Sequence, residues 1–285
     1  MKAEIKPVKT GGVAIVTGAS SGIGKSVALE LARCGYRVYA LARSLPDYFE
    51  NCQCEQLIES GSLRPIRIDV TNQSALEHVF HRILSNEGRL DCLVQAAGFG
   101  LAGAIEDTSS EEARAQFETN FFGTIHPMPL VLQQMRQQKH GLIVQLCSVA
   151  GFLPIPFQAY YSAAKAALTA LTLALADEVR PFGIRCMIVQ AGDTKTGFTS
   201  SRIMAAGSAE SDYAVRASRS VSRMAKDEAS GASPEGIARL IVRKMNRRHP
   251  PLVLTPGLLY KMAAFLIRIL PIAAVRAVIR RMYAS

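Results

Sequence analysis

Short apolar runs recur along the chain, and the longer segments between them place apolar residues at helical spacing. Such runs, rich in β-branched residues, are typical of buried strands. They predict seven strands, over residues 13–17, 37–42, 64–69, 90–97, 141–148, 184–190 and 251–255. The helical spacing predicts helices near residues 23–34, 73–87, 110–138, 157–180 and 233–247. Strands that alternate with helices favour an α/β fold, with a doubly wound, mainly parallel seven-stranded sheet and helices on both faces.

The chain shows no internal repeat and no linker, so we expect a single domain over residues 1–285. The segment at about 195–232 is rich in serine, alanine, glycine and charged residues. We interpret it as a surface excursion that acts as a substrate lid. The segment at about 256–285 is apolar and basic and is interrupted by Pro271, which predicts two amphipathic helices.

Positive charge is concentrated at the C-terminal end. The chain carries 33 Lys and Arg against 23 Asp and Glu, a net charge of +10, and its last acidic residue is Glu235. The excess equals the basic residues beyond that position: Arg239, Arg243, Lys244, Arg247, Arg248, Lys261, Arg268, Arg276, Arg280 and Arg281. Basic amphipathic helices can lie on an anionic membrane surface; covering the substrate pocket and packing against another subunit are the alternatives. No nucleic-acid recognition motif accompanies them, so nucleic acid is not an expected partner.

Composition excludes several classes of protein. No stretch reaches the roughly 18 consecutive apolar residues of a membrane span, and the N-terminal MKAEIKPVKTGG lacks the apolar core of a signal peptide. We therefore expect a cytoplasmic protein, with peripheral membrane contact left open. The six cysteines show no metal-ligand spacing and are expected to be reduced thiols. The five histidines form no ligand pattern either, so no metal site is predicted.

A glycine-rich stretch, TGASSGIGKS, follows the first predicted strand. Its final Gly-Lys-Ser resembles a P-loop, but Ala19 stands where that motif requires its first glycine. The glycines instead lie between a strand and a helix N-terminus, where backbone N–H groups and the helix dipole favour a phosphate. The stretch is interpreted as a turn for a dinucleotide pyrophosphate, with three glycines that let the backbone approach it: Gly18, Gly22 and Gly24.

A second group of residues carries acid–base chemistry. Tyr161 and Lys165 are four residues apart in a predicted helix and therefore share one face. A lysine ammonium favours the phenolate, so we expect it to lower the pKa of the tyrosine. Ser148, at the end of the fifth predicted strand, could donate a hydrogen bond to a substrate oxygen. Tyr160 is the competing tyrosine, but the residue four positions after it is Ala164.

These motifs, in this order, resemble those of the short-chain dehydrogenase/reductases. The resemblance covers roughly residues 10–200 and rests on TGASSGIG, Asn120 within TNFFG, Ser148, and Tyr161-x-x-x-Lys165. It implies a Rossmann-type fold and a nicotinamide cofactor. It also implies that Tyr161 exchanges the proton, that Ser148 orients the carbonyl, and that Asn120 holds a water in the proton relay. Lys165 would bind the nicotinamide ribose and tune the tyrosine.

The resemblance further implies the cofactor contacts. Tyr161 and Lys165 are two of these contacts. The others lie in the glycine turn and at the ends of the third, fourth and sixth predicted strands: Gly18, Ser20, Ser21, Gly22, Ile23, Gly24, Asp69, Val70, Ala97, Gly98, Gly192, Thr194 and Thr196. Two departures from the family pattern occur. Gln95-Ala96 replaces an Asn-Asn pair before Ala97-Gly98, and Ala191 replaces the proline of a Pro-Gly pair. The hydrogen bonding around Gln95-Ala96 and the rigidity of the loop at Ala191 therefore stay open.

The end of the second predicted strand bears on the choice of cofactor. An acid there would bind the adenosine ribose hydroxyls and repel a 2′-phosphate. This chain has Ala42 followed by Arg43 and Ser44. A guanidinium in place of the acid favours the 2′-phosphate, so we expect NADP(H), with NAD(H) as the lesser expectation. The alternative interpretation is that Arg43 is an ordinary solvated arginine in a loop.

Two features favour a hydrophobic substrate. The apolar stretch 150–157 follows Ser148 and should line the pocket, and resembling enzymes of steroids, retinoids and other lipids often carry comparable C-terminal extensions. We expect interconversion of a secondary alcohol and a ketone on a hydroxysteroid, a bile acid or a long-chain lipid. A 3-oxoacyl thioester on an acyl carrier is the alternative substrate, and a non-catalytic nucleotide-sensing or membrane-surface scaffold is the alternative class. The resemblance also implies a homodimer or homotetramer, paired through the helices near 110–138 and 157–180.

Overall fold

Two parallel sheets form within the residues that the computed structural model describes, 11–44 and 54–284. Their strands are β1 (Val13–Thr17), β2 (Arg37–Ala42), β3 (Leu63–Arg67), β4 (Cys92–Gln95), β5 (Leu101–Ala102), β6 (Gly141–Ser148), β7 (Ile184–Ala191), β8 (Ile203–Met204) and β9 (Val253–Leu254). Seven strands form the main sheet in the order β3-β2-β1-β4-β6-β7-β9, while β5 pairs with β8. Each of the seven predicted strands lies in the main sheet, so the predicted parallel, doubly wound fold is confirmed.

Helices cover both faces of the main sheet. They are α1 (Gly22–Arg33), α2 (Glu55–Glu59), α3 (Gln73–Glu87), α4 (Ser110–Phe117), α5 (Gly123–Ile125), α6 (Met128–Gln137), α7 (Ala159–Val179), α8 (Ala214–Ala229), α9 (Pro234–Met245), α10 (Leu258–Ile269) and α11 (Ile272–Tyr283). Successive strand residues point to opposite faces. In β1, Ala14 and Val16 belong to the core with α1 and α9, whereas Val13 and Ile15 belong to the core with α3, α6 and α7.

Side-chain caps fix where several helices begin. The Asn72 side chain accepts a hydrogen bond from the N–H of Ala75 at the start of α3. Ser109 and Glu112 form a reciprocal capping box at the start of α4. Such caps satisfy N–H groups that have no partner within the helix, and each contributes about 1 kcal/mol.

The helix predicted over 110–138 is interrupted in the structure. Between α4 and α5 the chain makes a π-helical turn over Glu118–Phe122, and Pro127 caps the start of α6. A proline has no N–H for the helical ladder, and a π turn shifts the register of the side chains that follow. This turn aims Asn120 inward, where it is fully buried.

Three elements were absent from the sequence prediction. The short helix α2 and the β5–β8 pair are too brief to leave a periodic pattern. The third, α8, lies within the segment interpreted as a surface excursion, and it buries Ala217, Ser220 and Met224. Its inward residues Ala217, Val221, Met224 and Ala225 do lie at helical spacing, and the sequence analysis overlooked this signal. A lid role for 195–232 stays a prediction.

The C-terminal segment forms the two expected helices, separated at Pro271. On α11, Val275 and Ile279 are buried and the helix packs against α8. Arg276 donates a hydrogen bond to the carbonyl of Pro154 at 2.8 Å. The α10 helix buries none of its residues. Within 11–44 and 54–284, no helix has the length and apolar character needed to cross a bilayer.

Candidate functional site

The candidate site lies at the carboxyl ends of the central strands. The order of the main sheet reverses between the parallel neighbours β1 and β4. From β1 the chain continues to β2 and β3 on one side, and from β4 it continues to β6, β7 and β9 on the other. In doubly wound sheets, ligands bind in the crevice at such a reversal. The glycine turn after β1, the loop after β4, Ser148 at the end of β6, and the loop after β7 all converge there.

The glycines of the turn are required by the packing of the chain itself. Gly18 has a φ of +66°, and a Cβ there would lie 2.6 Å from the backbone of Ala96. A Cβ on Gly24 would lie 2.3 Å from the carbonyl oxygen of Gly18. The turn is therefore stacked closely on the loop after β4 and on the first turn of α1.

The start of α1 fits a phosphate group. Its N-cap, Ser21, makes no side-chain capping bond, and the first turn contains no acidic residue. The N–H groups and the positive end of the dipole therefore favour an anion at this end of the helix. Thr196, from the loop after β7, lies over the turn, with its Cβ 3.2 Å from a Cβ placed on Gly22. Ser20 is half-buried in the same turn and Ile23 is buried.

The structure brings Ser148, Tyr161 and Lys165 together. Tyr161 and Lys165 are buried on α7, and Ser148 ends the neighbouring strand β6. The Lys165 Nζ donates a hydrogen bond to the carbonyl of Leu146 at 2.9 Å and lies 5.8 Å from the centre of the Tyr161 ring. An ammonium has three N–H donors, so two remain for a ligand beside the tyrosine. Tyr160 lies on a half-buried part of the helix surface.

The expected lowering of the Tyr161 pKa is wrong for this structure. Burial raises the pKa of Tyr161 to about 12, although its hydrogen bond with Ser148 and the charge of Arg202 act in the opposite direction. Burial also lowers the pKa of Lys165. Loss of hydration disfavours the charged form of each group, and it is the largest cause of both shifts. The phenol is therefore protonated at neutral pH.

Asn120 fixes the loop after β4. Its Oδ1 accepts from the N–H of Phe99 and its Nδ2 donates to the carbonyl of Phe99, both at 3.0 Å. A Cβ on Gly98 would lie 3.1 Å from the same Oδ1, so a larger residue there would disturb this contact. Gln116, one helical turn earlier, bonds Leu101 and Phe99 in the same way. The sequence analysis did not identify Gln116, although its spacing of four from Asn120 is the signal.

Residues at or next to the two departures from the family pattern make tertiary contacts. Gln95 is buried, and its Nε2 donates to the carbonyl of Thr124 at 2.5 Å, which ties β4 to α5. A Cβ on Gly192 would lie 2.2 Å from the Tyr260 ring, so the loop after β7 packs against an α10 side chain. The Tyr260 hydroxyl donates to Asp193 Oδ2 and accepts from the N–H of Asp193. The Thr194 hydroxyl donates to the carbonyl of Gly192 at 2.9 Å.

The other end of the crevice is basic. Arg43 and Ser44 are exposed immediately after β2. Arg67, which the sequence analysis did not identify, pairs with Ala42 across β2 and β3 and donates from Nε to the carbonyl of Arg43 at 3.1 Å. Asp69 accepts two hydrogen bonds from Thr71 through Oδ1, both at 2.9 Å. Val70 is buried and packs against Gly123, and Ala97 lies against Gly18.

An aromatic ring covers the reactive tyrosine. The Phe198 ring centre is 5.5 Å from that of Tyr161, and the guanidinium carbon of Arg202 is 5.7 Å from the same Phe198 ring. These residues come from the 195–232 segment, and no motif or spacing in the sequence singled them out. Among the described residues, no group of three or more His, Cys, Asp and Glu is placed to hold a metal ion.

Comparison with known proteins identifies the family. Residues 12–205 match the short chain dehydrogenase family, to which the chain therefore belongs. It is 36% identical over 240 residues, 84% of this chain and 85% of the other, to a 3-ketodihydrosphingosine reductase of Bacteroides thetaiotaomicron. It also superposes on a short-chain dehydrogenase of Streptomyces avermitilis with a TM-score of 0.80, at 30% identity over 95% of this chain and 96% of the other.

Two further solved structures of the same fold contain nicotinamide cofactors. A Burkholderia phymatum short chain dehydrogenase/reductase in complex with NAD has a TM-score of 0.75 at 22% identity, covering 94% of this chain and 92% of its own. ElxO with NADP bound has a TM-score of 0.68 at 26% identity, covering 87% and 97%. The chain is thus an oxidoreductase of a family that acts on CH–OH or C=O groups, and its fold is one that binds nicotinamide cofactors.

Proposed function

We propose that this protein reduces a ketone on a long-chain lipid to a secondary alcohol with NADPH. The observation that carries the proposal is the Ser148–Tyr161–Lys165 group, in which Tyr161 and Lys165 are buried and burial raises the pKa of Tyr161. A protonated tyrosine is the state required to donate a proton to a carbonyl oxygen. In this protonation state Tyr161 can act as the acid of a reduction.

The residues of the chain divide the reaction between them. A reduced nicotinamide, when bound, supplies the hydride to the carbonyl carbon. Tyr161 Oη gives its proton to the carbonyl oxygen, which completes the alcohol. Ser148 Oγ donates a hydrogen bond to that oxygen as negative charge develops on it. Lys165 Nζ holds the ribose beside the tyrosine and favours the phenolate that the proton transfer leaves.

The basic end of the crevice supports NADPH over NADH. Arg43 is exposed at the point where the adenosine ribose lies in doubly wound folds. Arg67 bonds the Arg43 backbone and adds a second guanidinium at the same strand ends. Guanidinium groups bind phosphate with charge-assisted hydrogen bonds.

The substrate class rests on similarity and on the surface of the chain. The similar 3-ketodihydrosphingosine reductase is named for a ketone on a long-chain lipid. The segment 150–157, next to Ser148, keeps Phe152, Leu153 and Ile155 only partly buried and so leaves apolar surface beside the site. A hydroxysteroid, a bile acid and a 3-oxoacyl thioester are the other substrates that the experiment must include.

A substrate panel tests the proposal. NADPH oxidation is followed with 3-ketodihydrosphingosine, a steroid ketone and a 3-oxoacyl thioester. We expect turnover of the lipid ketone, and the Tyr161→Phe variant should lose at least about a hundredfold in kcat, because positioned proton donors contribute about 10²–10⁴-fold. Tyr160→Phe, the matched change at the adjacent tyrosine, should retain activity.

The other outcomes are distinct. Preference for the thioester would move the substrate to the acyl-carrier class. NADPH binding without turnover of any compound in the panel would favour a non-catalytic scaffold. Equal activity of wild type and Tyr161→Phe would overturn the assigned mechanism.

We further propose that residues 256–285 contact an anionic membrane surface. In α10 the exposed apolar residues lie at helical spacing along one stripe: Leu258, Leu259, Met262, Phe265, Leu266 and Ile269. Lys261 and Arg268 flank that stripe, and the segment contains no acidic residue. An exposed apolar stripe beside lysine and arginine fits the boundary between anionic headgroups and acyl chains.

A further inference from the structure

Arg202 is a buried arginine with unused hydrogen-bond donors. Only 2% of its side chain is exposed, and its Nη2 pairs with Glu228 Oε1. The other oxygen of Glu228 accepts from the Thr199 hydroxyl. Within the described part of the chain, Arg202 Nε and Nη1 are buried and have no hydrogen-bond partner. Buried donors left unpaired are costly, so this arrangement calls for a ligand.

The open donors lie beside the reactive tyrosine. Arg202 and Tyr161 contact the same Phe198 ring, at 5.7 Å and 5.5 Å from its centre. Opposite charges on Arg202 and Glu228 also shift the pKa of Tyr161 in opposite directions. The β5–β8 pair fixes the backbone here, since Ile203 N–H donates to the carbonyl of Gly100 at 2.9 Å.

A second open donor lies near the same ring. Gln158, three residues before Tyr161, is 4% exposed, and its Nε2 has no partner among the described residues. A Cβ on Gly100 would lie 2.8 Å from the Phe198 ring and 3.7 Å from Gln158 Nε2, which places these groups next to each other. Three buried donor nitrogens without a partner therefore lie near one apolar ring beside Tyr161.

The chemistry of these donors selects the ligand. Arg202 and Glu228 together carry no net charge, so the Glu228 carboxylate offsets part of the attraction of the guanidinium for a carboxylate or phosphate. Nε and Nη1 lie on different edges of the guanidinium, so they cannot form the two parallel bonds that bind an anion. A neutral oxygen satisfies each donor, and a hydroxyl can also donate to Glu228.

We propose that Arg202 and Gln158 bind a neutral hydroxyl or carbonyl oxygen that lies near the reacting ketone on an otherwise apolar substrate. The proposal rests on the proposed function and extends it, because it distinguishes lipids with a polar head beside the ketone from plain ketones. The apolar remainder of such a lipid extends past Phe198 toward the 150–157 segment.

A pair of matched ketones tests this assignment. One is a long-chain 1-hydroxy-3-ketone and the other is the 3-ketone of the same length without the hydroxyl. We expect wild type to prefer the hydroxy ketone in kcat/KM by at least about tenfold, or 1.4 kcal/mol. Arg202→Lys keeps the pairing charge for Glu228 but removes the fork of donors, and it should reduce that preference mainly through KM. Gln158→Leu should reduce it as well.

Controls separate recognition from folding. Arg219→Lys is the same change at an exposed position of α8 and should leave the preference as in wild type. Melting temperatures report any loss of structure. If Arg202→Lys lowers kcat/KM equally for both ketones, Arg202 only stabilises the segment and the proposal is overturned.

The proposed function can fail separately from this inference. If wild type reduces neither ketone, calorimetric binding of the two ketones to the NADPH complex still decides the role of Arg202. Tighter binding of the hydroxy ketone that is lost in Arg202→Lys would support the assignment. Equal binding of the two ketones to wild type would refute it.

Discussion

At the scale of the residue, the proposed preference for NADPH rests on Arg43. Arg43→Asp replaces a guanidinium with a carboxylate at the end of β2, so NADPH should bind about ten- to hundredfold more weakly, the loss of a charge-assisted hydrogen bond of about 1.5–3 kcal/mol. Affinity for NADH should rise, because a carboxylate can accept from ribose hydroxyls. Fluorescence titration of both cofactors measures the change.

The control for Arg43→Asp carries the same change in net charge elsewhere. Arg82 is exposed on α3, and Arg82→Asp should leave both affinities unchanged. Arg67→Ala should weaken NADPH binding less than Arg43→Asp does. A wild-type protein that prefers NADH would contradict the assignment of Arg43.

Individual residues were predictable from sequence where local geometry fixes their neighbours. Residues four apart on a helix lie on one face, so Tyr161 and Lys165 could be paired from spacing alone. The direction of the Tyr161 pKa shift could not, because it depends on burial by tertiary packing. Arg202 was invisible for the same reason: its position depends on how residues 195–232 return across Phe198 and Tyr161.

At the scale of the element, α10 is connected to the loop after β7 through Tyr260. The ring packs on Gly192 and the hydroxyl bonds Asp193 twice. Burial raises the pKa of Asp193, and its hydrogen bond with Tyr260 opposes that rise. A residue of the C-terminal helices thus positions the backbone that leads to Thr194 and Thr196.

Tyr260→Phe removes only the hydroxyl and leaves Asp193 with fewer partners. We expect the free energy of unfolding to fall by about 1–2 kcal/mol. The KM for NADPH should rise severalfold while kcat at saturating NADPH changes less, since we expect the loop to bind cofactor and not to transfer the proton. Steady-state kinetics and denaturant unfolding measure both effects.

Tyr283→Phe is the matched control for Tyr260→Phe. Tyr283, on α11, donates a hydrogen bond to Asp227 at 3.2 Å, and no hydrogen bond among the described residues joins its hydroxyl to the loop. Its variant should lose stability without a change in the KM for NADPH. The same KM for NADPH in wild type, Tyr260→Phe and Tyr283→Phe would show that Tyr260 is only a structural contact.

Whole elements were predictable because their patterns are long. Seven apolar runs and five helical segments were sufficient to predict the parallel sheet and its cover. Interruptions inside a segment were not predictable: the π turn at Glu118–Phe122 depends on tertiary contacts, and β5 and β8 contain two residues each. These irregular pieces are the ones that hold the Asn120 and Arg202 side chains.

At the scale of the whole molecule, the C-terminal end carries the excess positive charge together with exposed apolar surface. We expect the protein to float with anionic vesicles and not with neutral ones. Salt should release it, because the attraction between exposed charges is screened beyond about 8 Å at physiological ionic strength and over shorter distances at higher salt. Leu259→Asp with Phe265→Asp should abolish flotation. Ile105→Asp, an equally exposed position away from α10, is the control.

Equal flotation of the α10 variant and wild type would exclude this helix as the membrane contact. Binding to anionic vesicles that persists at high salt would show that apolar insertion, not charge, dominates. Assembly as a homodimer or homotetramer stays a prediction.

The contact between Tyr260 and Gly192 also has a consequence for biosynthesis. A chain folds as it emerges from the ribosome, N-terminal part first. The glycine turn, Ser148, Tyr161 and Lys165 are all made well before residue 260. The loop beside them receives its last tertiary contact only when α10 has emerged, and α8 is covered by α11 only when synthesis ends. A nascent chain that has already formed its sheet therefore still lacks the Tyr260 contact, and the loop after β7 reaches its final arrangement only with the last helices.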